Sequence, residues 1–185
     1  SELAIAYQGS ARTLDIQGGA LGGLLDMQNG VLPDYQNRVD TLAGTFAEEI
    51  NSIHATGINK DGGFLSLQSE EGVDDPTAAL STQGFNMQSG DLTITVRENA
   101  TGNTTNFNVS IDPSTDSLQD VSNDIGAIAN LSSSIDADGR LSIDSAGGYS
   151  FSFSSDQSKI LSEMEINSLF TGKTAATLQV SSHIR

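Results

Sequence analysis

The chain predicts an α+β protein: a helical segment with one long amphipathic helix, followed by a mixed domain of antiparallel sheet and short helices. Two observations carry that prediction. Tyr35, Val39, Leu42, Phe46, Ile50 and Ile53 advance by 4, 3, 4, 4 and 3 residues, an apolar stripe at helical period. Beyond residue 84 the pattern changes to short alternating runs bounded by Gly, Asp and Asn turns, interrupted by brief helical stretches.

In chain order, Leu3, Ile5 and Tyr7 alternate, Gln8-Gly-Ser10 is a turn signal, and Leu14 and Ile16 alternate again, so residues 1–16 read as a strand pair. Glycines at 18 and 19 then open a helix carrying Leu21, Leu24 and Leu25, which Gly30 is expected to end. Pro33 suits the first turn of a second helix, where its missing N–H costs nothing, and Asp34 favours the helix N-terminus. That helix runs to Gly57, placed as its C-cap. Residues 57–83 are polar and turn-rich and read as an irregular connection between two bodies, 1–83 and 84–185.

In the second body, Leu92, Ile94 and Val96 pair across a turn with Phe107, Val109 and Ile111. Ser117 caps a helix bearing Leu118, Val121, Ile125 and Ile128 on one face. Leu131–Ile135 and Leu141–Ile143 form a hairpin about Asp136–Gly139, and Tyr149, Phe151 and Phe153 alternate with serines in a further strand. A short helix through Ile160, Leu161 and Met164 and a last strand at Leu178 and Val180 complete the order.

Composition excludes more chemistry than it suggests. The 185 residues carry 24 acids and 8 bases, a net charge of −16 spread along the chain. A phosphate backbone needs clustered Lys and Arg, so nucleic acid is not an expected partner, and an anionic membrane surface is equally unsuited. With no cysteine, thiolate catalysis, disulfides and zinc ribbons are excluded together. No apolar run is long enough to span a bilayer, and the first residues lack the basic and apolar regions of a cleaved signal. Serine (25), Thr (15), Asn (12) and Gly (19) replace the missing charged and apolar residues, a composition associated with bacterial surface and secreted structural proteins.

No catalytic, cofactor or metal residue emerges from the motifs. The glycines at 18, 19, 22 and 23 miss both the dinucleotide and the phosphate-loop spacing, and fit helix entry and close packing instead. Asn59-Lys-Asp61-Gly62 and Asp136-Ala-Asp138-Gly139 fail the calcium-loop pattern and read as tight turns. The acid pairs Glu48-Glu49, Glu70-Glu71 and Asp74-Asp75 read as solvated faces. His54 has Ile50 and Asn51 where a second metal ligand would stand, so a helix C-terminal role is expected, and His183 is near the end of the sequence. The Asn-x-Ser/Thr matches at 99, 103, 108 and 130 are expected by chance in so Asn- and Ser-rich a chain.

The stripe on 35–53 lacks a partner. Only short helices occur elsewhere, and each has its own sheet to cover. The expectation is therefore that Tyr35, Val39, Leu42, Phe46, Ile50 and Ile53 pack on something outside this sequence. Removing Phe46 costs about 3–5 kcal/mol where that ring is fully buried. Ser1 and the ending at Ser181-Ser-His-Ile-Arg185 fit an internal piece of a longer protein.

Three stretches carry a resemblance. They are Gly18-Gly-Ala-Leu-Gly-Gly-Leu-Leu-Asp26, then Val31-Leu-Pro-Asp-Tyr-Gln-Asn-Arg-Val-Asp-Thr-Leu-Ala43, then Phe46-Ala-Glu-Glu-Ile-Asn51-Ser-Ile-His54-Ala-Thr-Gly57. Together they resemble the flagellar hook-associated protein 1 (FlgK) family, as does Asp61-Gly-Gly-Phe64 after them. Ile166-Asn167-Ser-Leu-Phe170-Thr-Gly172 resembles a second element of that family, with Met164-Glu165 in place of Leu-Gly and Leu169 in place of a Phe. Residues 84–152 show no positional match. The resemblance implies a structural, non-enzymatic subunit of the bacterial flagellum at the hook–filament junction. Its partners would be other copies of itself in a ring, the hook protein, and the next hook-associated protein. It also implies export by the flagellar secretion apparatus without a cleaved signal, an extracellular location, and terminal helices, absent from this sequence, that cover the stripe. The alternative is a secreted surface-binding module, an adhesin or carbohydrate binder, which would present Tyr149, Phe151 and Phe153 to solvent. A hydrolase would require two acids converging in a cleft.

Overall fold

The computed structural model describes residue 16 and residues 18–182. The expected strand pair at 1–16 therefore lies outside the described residues, Ile16 excepted, as does His183. From Gly19 the chain is one long helix: α1 (Gly19–Asp26), a wider π-type turn (Met27–Val31) and α2 (Leu32–Ala55). Then come β1 (Ser66–Gln68), a 3-10 turn (Leu80–Thr82), β2 (Gly90–Glu98), β3 (Thr104–Ile111) and α3 (Leu118–Gly126). The remainder is β4 (Leu131–Ile135), β5 (Leu141–Ser145), β6 (Tyr149–Asp156), α4 (Ile160–Glu163), β7 (Phe170–Thr171) and β8 (Gln179–Val180). The α+β class is as the two patterns predict.

Gly30 does not end a helix. The Leu32 N–H reaches back five residues to the Met27 carbonyl, and the helix continues. Pro33 explains the local widening. A proline inside a helix lacks the N–H for its own bond and crowds the carbonyl four residues earlier, here that of Asn29. Looser winding just before it relieves that crowding. At the other end, the Gly57 N–H bonds the His54 carbonyl at 2.9 Å. The helix closes on Thr56 without a left-handed glycine, so the expected glycine C-cap is not formed.

The sheets follow the alternation. β3-β2-β6 form one antiparallel sheet and β1-β5-β4 another, with β7-β8 a separate pair. Leu92, Ile94 and Val96 point into the core, while Thr93 and Thr95 hydrogen-bond Asn108 and Asn106 across the outer face at 3.1 and 2.9 Å. Each fully buried aliphatic contributes roughly 1.5–3 kcal/mol. α3 is closed by a capping box: the Asp120 N–H donates to the Ser117 hydroxyl, and the Ser117 N–H donates to the Asp120 carboxylate at 2.9 Å. Its Leu118, Val121 and Ile125 are buried against β3, β4 and β5.

Residues 57–83 are irregular for most of their length but help to build the core. β1 joins β5 in register, and Val73 and Leu80 are buried. β1 and β7 were not legible beforehand, being only three and two residues long. Both Asp/Asn-Gly motifs are tight turns. Asn59 Oδ1 accepts from the N–H groups of Asp61 and Gly63, and Asp136 Oδ1 from those of Asp138 and Arg140. Gly139 has φ +73°, and a Cβ there would stand 1.9 Å from the Val73 carbonyl oxygen, so only glycine closes that turn.

Candidate assembly surface

A straight α-helix turns about 100° per residue. Tyr35, Val39, Leu42, Phe46, Ile50 and Ile53 therefore share one side of α2, and Gly44, Ala47, Asn51 and Ala55 lie on the opposite side. The structure docks the second set. Ala47, Asn51 and Ala55 are buried, and Gly44 brings the backbones so close that a Cβ would stand 2.9 Å from the Lys173 carbonyl oxygen.

The partner of this small-residue face is the stretch from Lys159 to Ala175, which includes α4 and β7. Asn51 acts there as a piece of backbone. Its Nδ2 donates to the Phe170 carbonyl at 2.8 Å, and its Oδ1 accepts from the Phe170 N–H at 2.9 Å. His54 Nδ1 lies 2.9 Å from the Asn167 carbonyl, so that nitrogen carries the proton. Asn167 in turn donates to the Ala55 carbonyl at 3.1 Å, satisfying one of the acceptors that a helix C-terminus leaves open. Asn167 has φ +50°, a conformation asparagine tolerates better than most residues. Lys159 pairs with Glu48 at 2.6 Å, which raises the lysine's proton affinity. Asp40 accepts the Ala175 N–H at 2.9 Å.

The opposite face is bare. Leu42 is 71% exposed and Ile53 74%, and Tyr35, Val39 and Phe46 are exposed as well. Ile50 is half-buried. Phe46 is half exposed, its ring centroid 5.6 Å from that of Phe170, so its truncation within this chain alone removes far less than a fully buried ring would. Leu21, Leu24, Met27, Val31 and Leu32 extend the exposed apolar surface toward the helix N-terminus. The helix is thus committed on its small side and uncommitted on its large side.

Residues 1–67 match the family described as flagellar hook-associated protein FlgK helical domain. The match covers 67 of the 185 residues, the stretch that contains the long helix. No curated protein matches the chain. The FlgK match contains α1, the widened turn, α2 and most of β1. Two of the stretches that carry the FlgK resemblance in the sequence meet in space: Asn51 and His54 of Phe46–Gly57 hold Phe170 and Asn167 of Ile166–Gly172. Sequence reading singled out the large apolar face and passed over the small one. Its signal was present in the 3, 4, 4 spacing of Gly44, Ala47, Asn51 and Ala55, with a polar residue in the middle.

Other candidates resolve as structure. Phe151 and Phe153 are buried and Tyr149 is half-buried against the core, so that strand does not display aromatics to solvent. Asp75 accepts the N–H and hydroxyl of Thr77, which hold its carboxyl below the ordinary range. Among the described residues, no group of three His, Asp or Glu side chains is placed to hold a metal ion, and no helix is long and apolar enough to cross a membrane.

Glu165 stands out beside the docked helix. It is buried, and its Oε1 accepts the Gly172 N–H at 2.8 Å. Burial pushes its carboxyl above the ordinary value, against the pull of that bond. A raised folded-state value means that the neutral form favours the fold. That contribution is complete below the unfolded carboxyl value and is lost as pH rises through the folded one. Glu165→Gln, which keeps an acceptor for Gly172, should therefore raise the melting temperature at about pH 7. The gain should vanish below about pH 4, where the parent carboxyl is protonated in both states. Melts followed by circular dichroism at the two pH values check this; a gain that persists in acid contradicts it.

Proposed function

We propose that this chain is the helical and outward-facing part of a structural, non-enzymatic subunit at the junction between flagellar hook and filament. In this reading, 1–83 belongs to the axial, rod-like part and 84–185 forms an outer α+β domain. The subunit assembles as a ring with other copies of itself, with the hook protein below and the next hook-associated protein above. It is extracellular and exported by the flagellar secretion apparatus without a cleaved signal. Absence of cysteine suits a chain that crosses the secretion channel unfolded, because no disulfide can mispair. The charge of −16 suits an outer domain that stays soluble.

The observation that supports this reading best is the bare face of α2, on a stretch that matches the FlgK family and whose other face is already docked. Contiguous exposed apolar surface of this kind marks an interaction site. The predicted role of Tyr35, Val39, Leu42, Phe46, Ile50 and Ile53 is to carry the terminal helices of the complete subunit. The test is Leu42→Glu with Ile53→Glu. Both side chains are mostly in solvent, so this chain by itself should melt within a degree or so of the parent, as surface substitutions do. In the complete protein the pair should abolish junction assembly, scored by filaments retained on hooks under electron microscopy. Normal junctions with the double variant would overturn the proposal.

A further inference from the structure

A second surface, away from the bare helix face and independent of the function proposed above, lies along the open edge of β1. In the sheet order β1-β5-β4, β1 is an edge strand. Leu65 accepts from the Ser145 N–H and Ser69 donates to the Leu141 carbonyl, so the odd-numbered residues bond toward β5. By alternation, the backbone N–H and C=O groups of Ser66 and Gln68 point the other way. Ser66, Leu67 and Gln68 also line a groove of about 370 Å³, together with Phe64, Glu165 and Ser168. Ser168 is buried, and its hydroxyl has no hydrogen-bond partner among the described residues. A buried polar group in that state has capacity for a further hydrogen bond.

We infer that this groove takes an extended polypeptide segment of another protein, added as a strand beside β1, with a Lys or Arg facing Glu165. Outward-pointing main-chain groups on an edge strand are the chemistry of strand addition. The basic residue follows from charge. Glu70 and Glu71 act electrostatically on Glu165 from nearby, and Lys173 opposes them. Asp136 holds Gln68 at the strand's end at 2.9 Å. At −16, a second copy of this chain is a poor occupant, since like charge repels it.

The probe is the capped peptide Thr-Val-Lys-Val-Thr-Lys-Thr, titrated calorimetrically into the chain as it stands. The expected dissociation constant is about 0.1–1 mM, ordinary for a short strand held mostly by main-chain bonds. Methylating alternate peptide nitrogens, or replacing both lysines by Glu, should weaken binding about tenfold or more. Ser66→Pro should do the same, because an edge N–H that faces outward can be removed without breaking the β1–β5 ladder. Should that variant fail to fold, the two altered peptides decide alone. Equal binding by the methylated or Glu-bearing peptide, or no heat at about 5 mM, overturns the inference. So does self-association of the chain that Ser66→Pro removes, which would make a second copy the occupant.

Discussion

Phe151→Ala should lower the stability of this chain by about 3–5 kcal/mol, the loss expected for a fully buried aromatic ring. Phe151 is the seam of the α+β domain. On one side it lies opposite Val96 of β2. On the other it exchanges two main-chain bonds with Phe64, at 2.7 and 2.9 Å, just before β1 begins. Its ring is buried, 5.8 Å from that of Phe153 and 6.3 Å from that of Phe64. Truncation would open a cavity where the two sheets meet, and close packing leaves little that can collapse into it. Urea denaturation of the variant and parent measures the loss. A contrasting Leu42→Ala variant should change stability by less than about 0.5 kcal/mol, since that side chain lies mostly in water. If the two substitutions cost the same, the burial described for Phe151 is wrong.

Asn51→Leu should be the next largest effect, about 2–4 kcal/mol, although it replaces a polar residue by an apolar one of similar size. Asn51 is the only polar side chain among the buried residues of α2, and it completes both the donor and the acceptor of Phe170. Leucine would leave that N–H and that carbonyl buried without partners, each costing about 1–2 kcal/mol. The loss should be local. Amide exchange should quicken in the C-terminal half of α2 and in α4, while β2, whose neighbours are β3 and β6, keeps its protection. Unchanged melting and exchange would show that Gly44, Ala47 and the His54–Asn167 bond hold the helix without Asn51.

The two faces of α2 show why one part of this protein was legible and another was not. Large apolar residues at helical period are a loud signal, so the stripe from Tyr35 to Ile53 and the long helix itself could both be read directly. The docked face is quiet. Gly44 and Ala47 have almost no side chain to read, and Asn51 declares itself only when Phe170, 119 residues away in sequence, presents its backbone. The helix break expected at Gly30 failed for a related reason. A glycine and a proline three residues apart look like punctuation, yet a looser turn absorbs the proline and lets the helix continue. In the sheet domain, period-two alternation located β2, β3, β5 and β6. β1 and β7 are too short to show a period and exist because β5 and β8 pair with them.

What the sequence alone determined was chemistry and periodicity. With helical spacing before residue 57 and alternation after 84, the α+β class followed from local pattern, and the residues at 18–57 carried a resemblance to the FlgK family. Only the tertiary structure decided which side of the long helix is docked and which side is exposed. Periodicity says that a face is apolar but not what lies against it. That depends on contacts between residues far apart in sequence, and here the shorter approach allowed by Gly44 and Ala47, with the paired hydrogen bonds of Asn51, commits the small face and leaves the large one open.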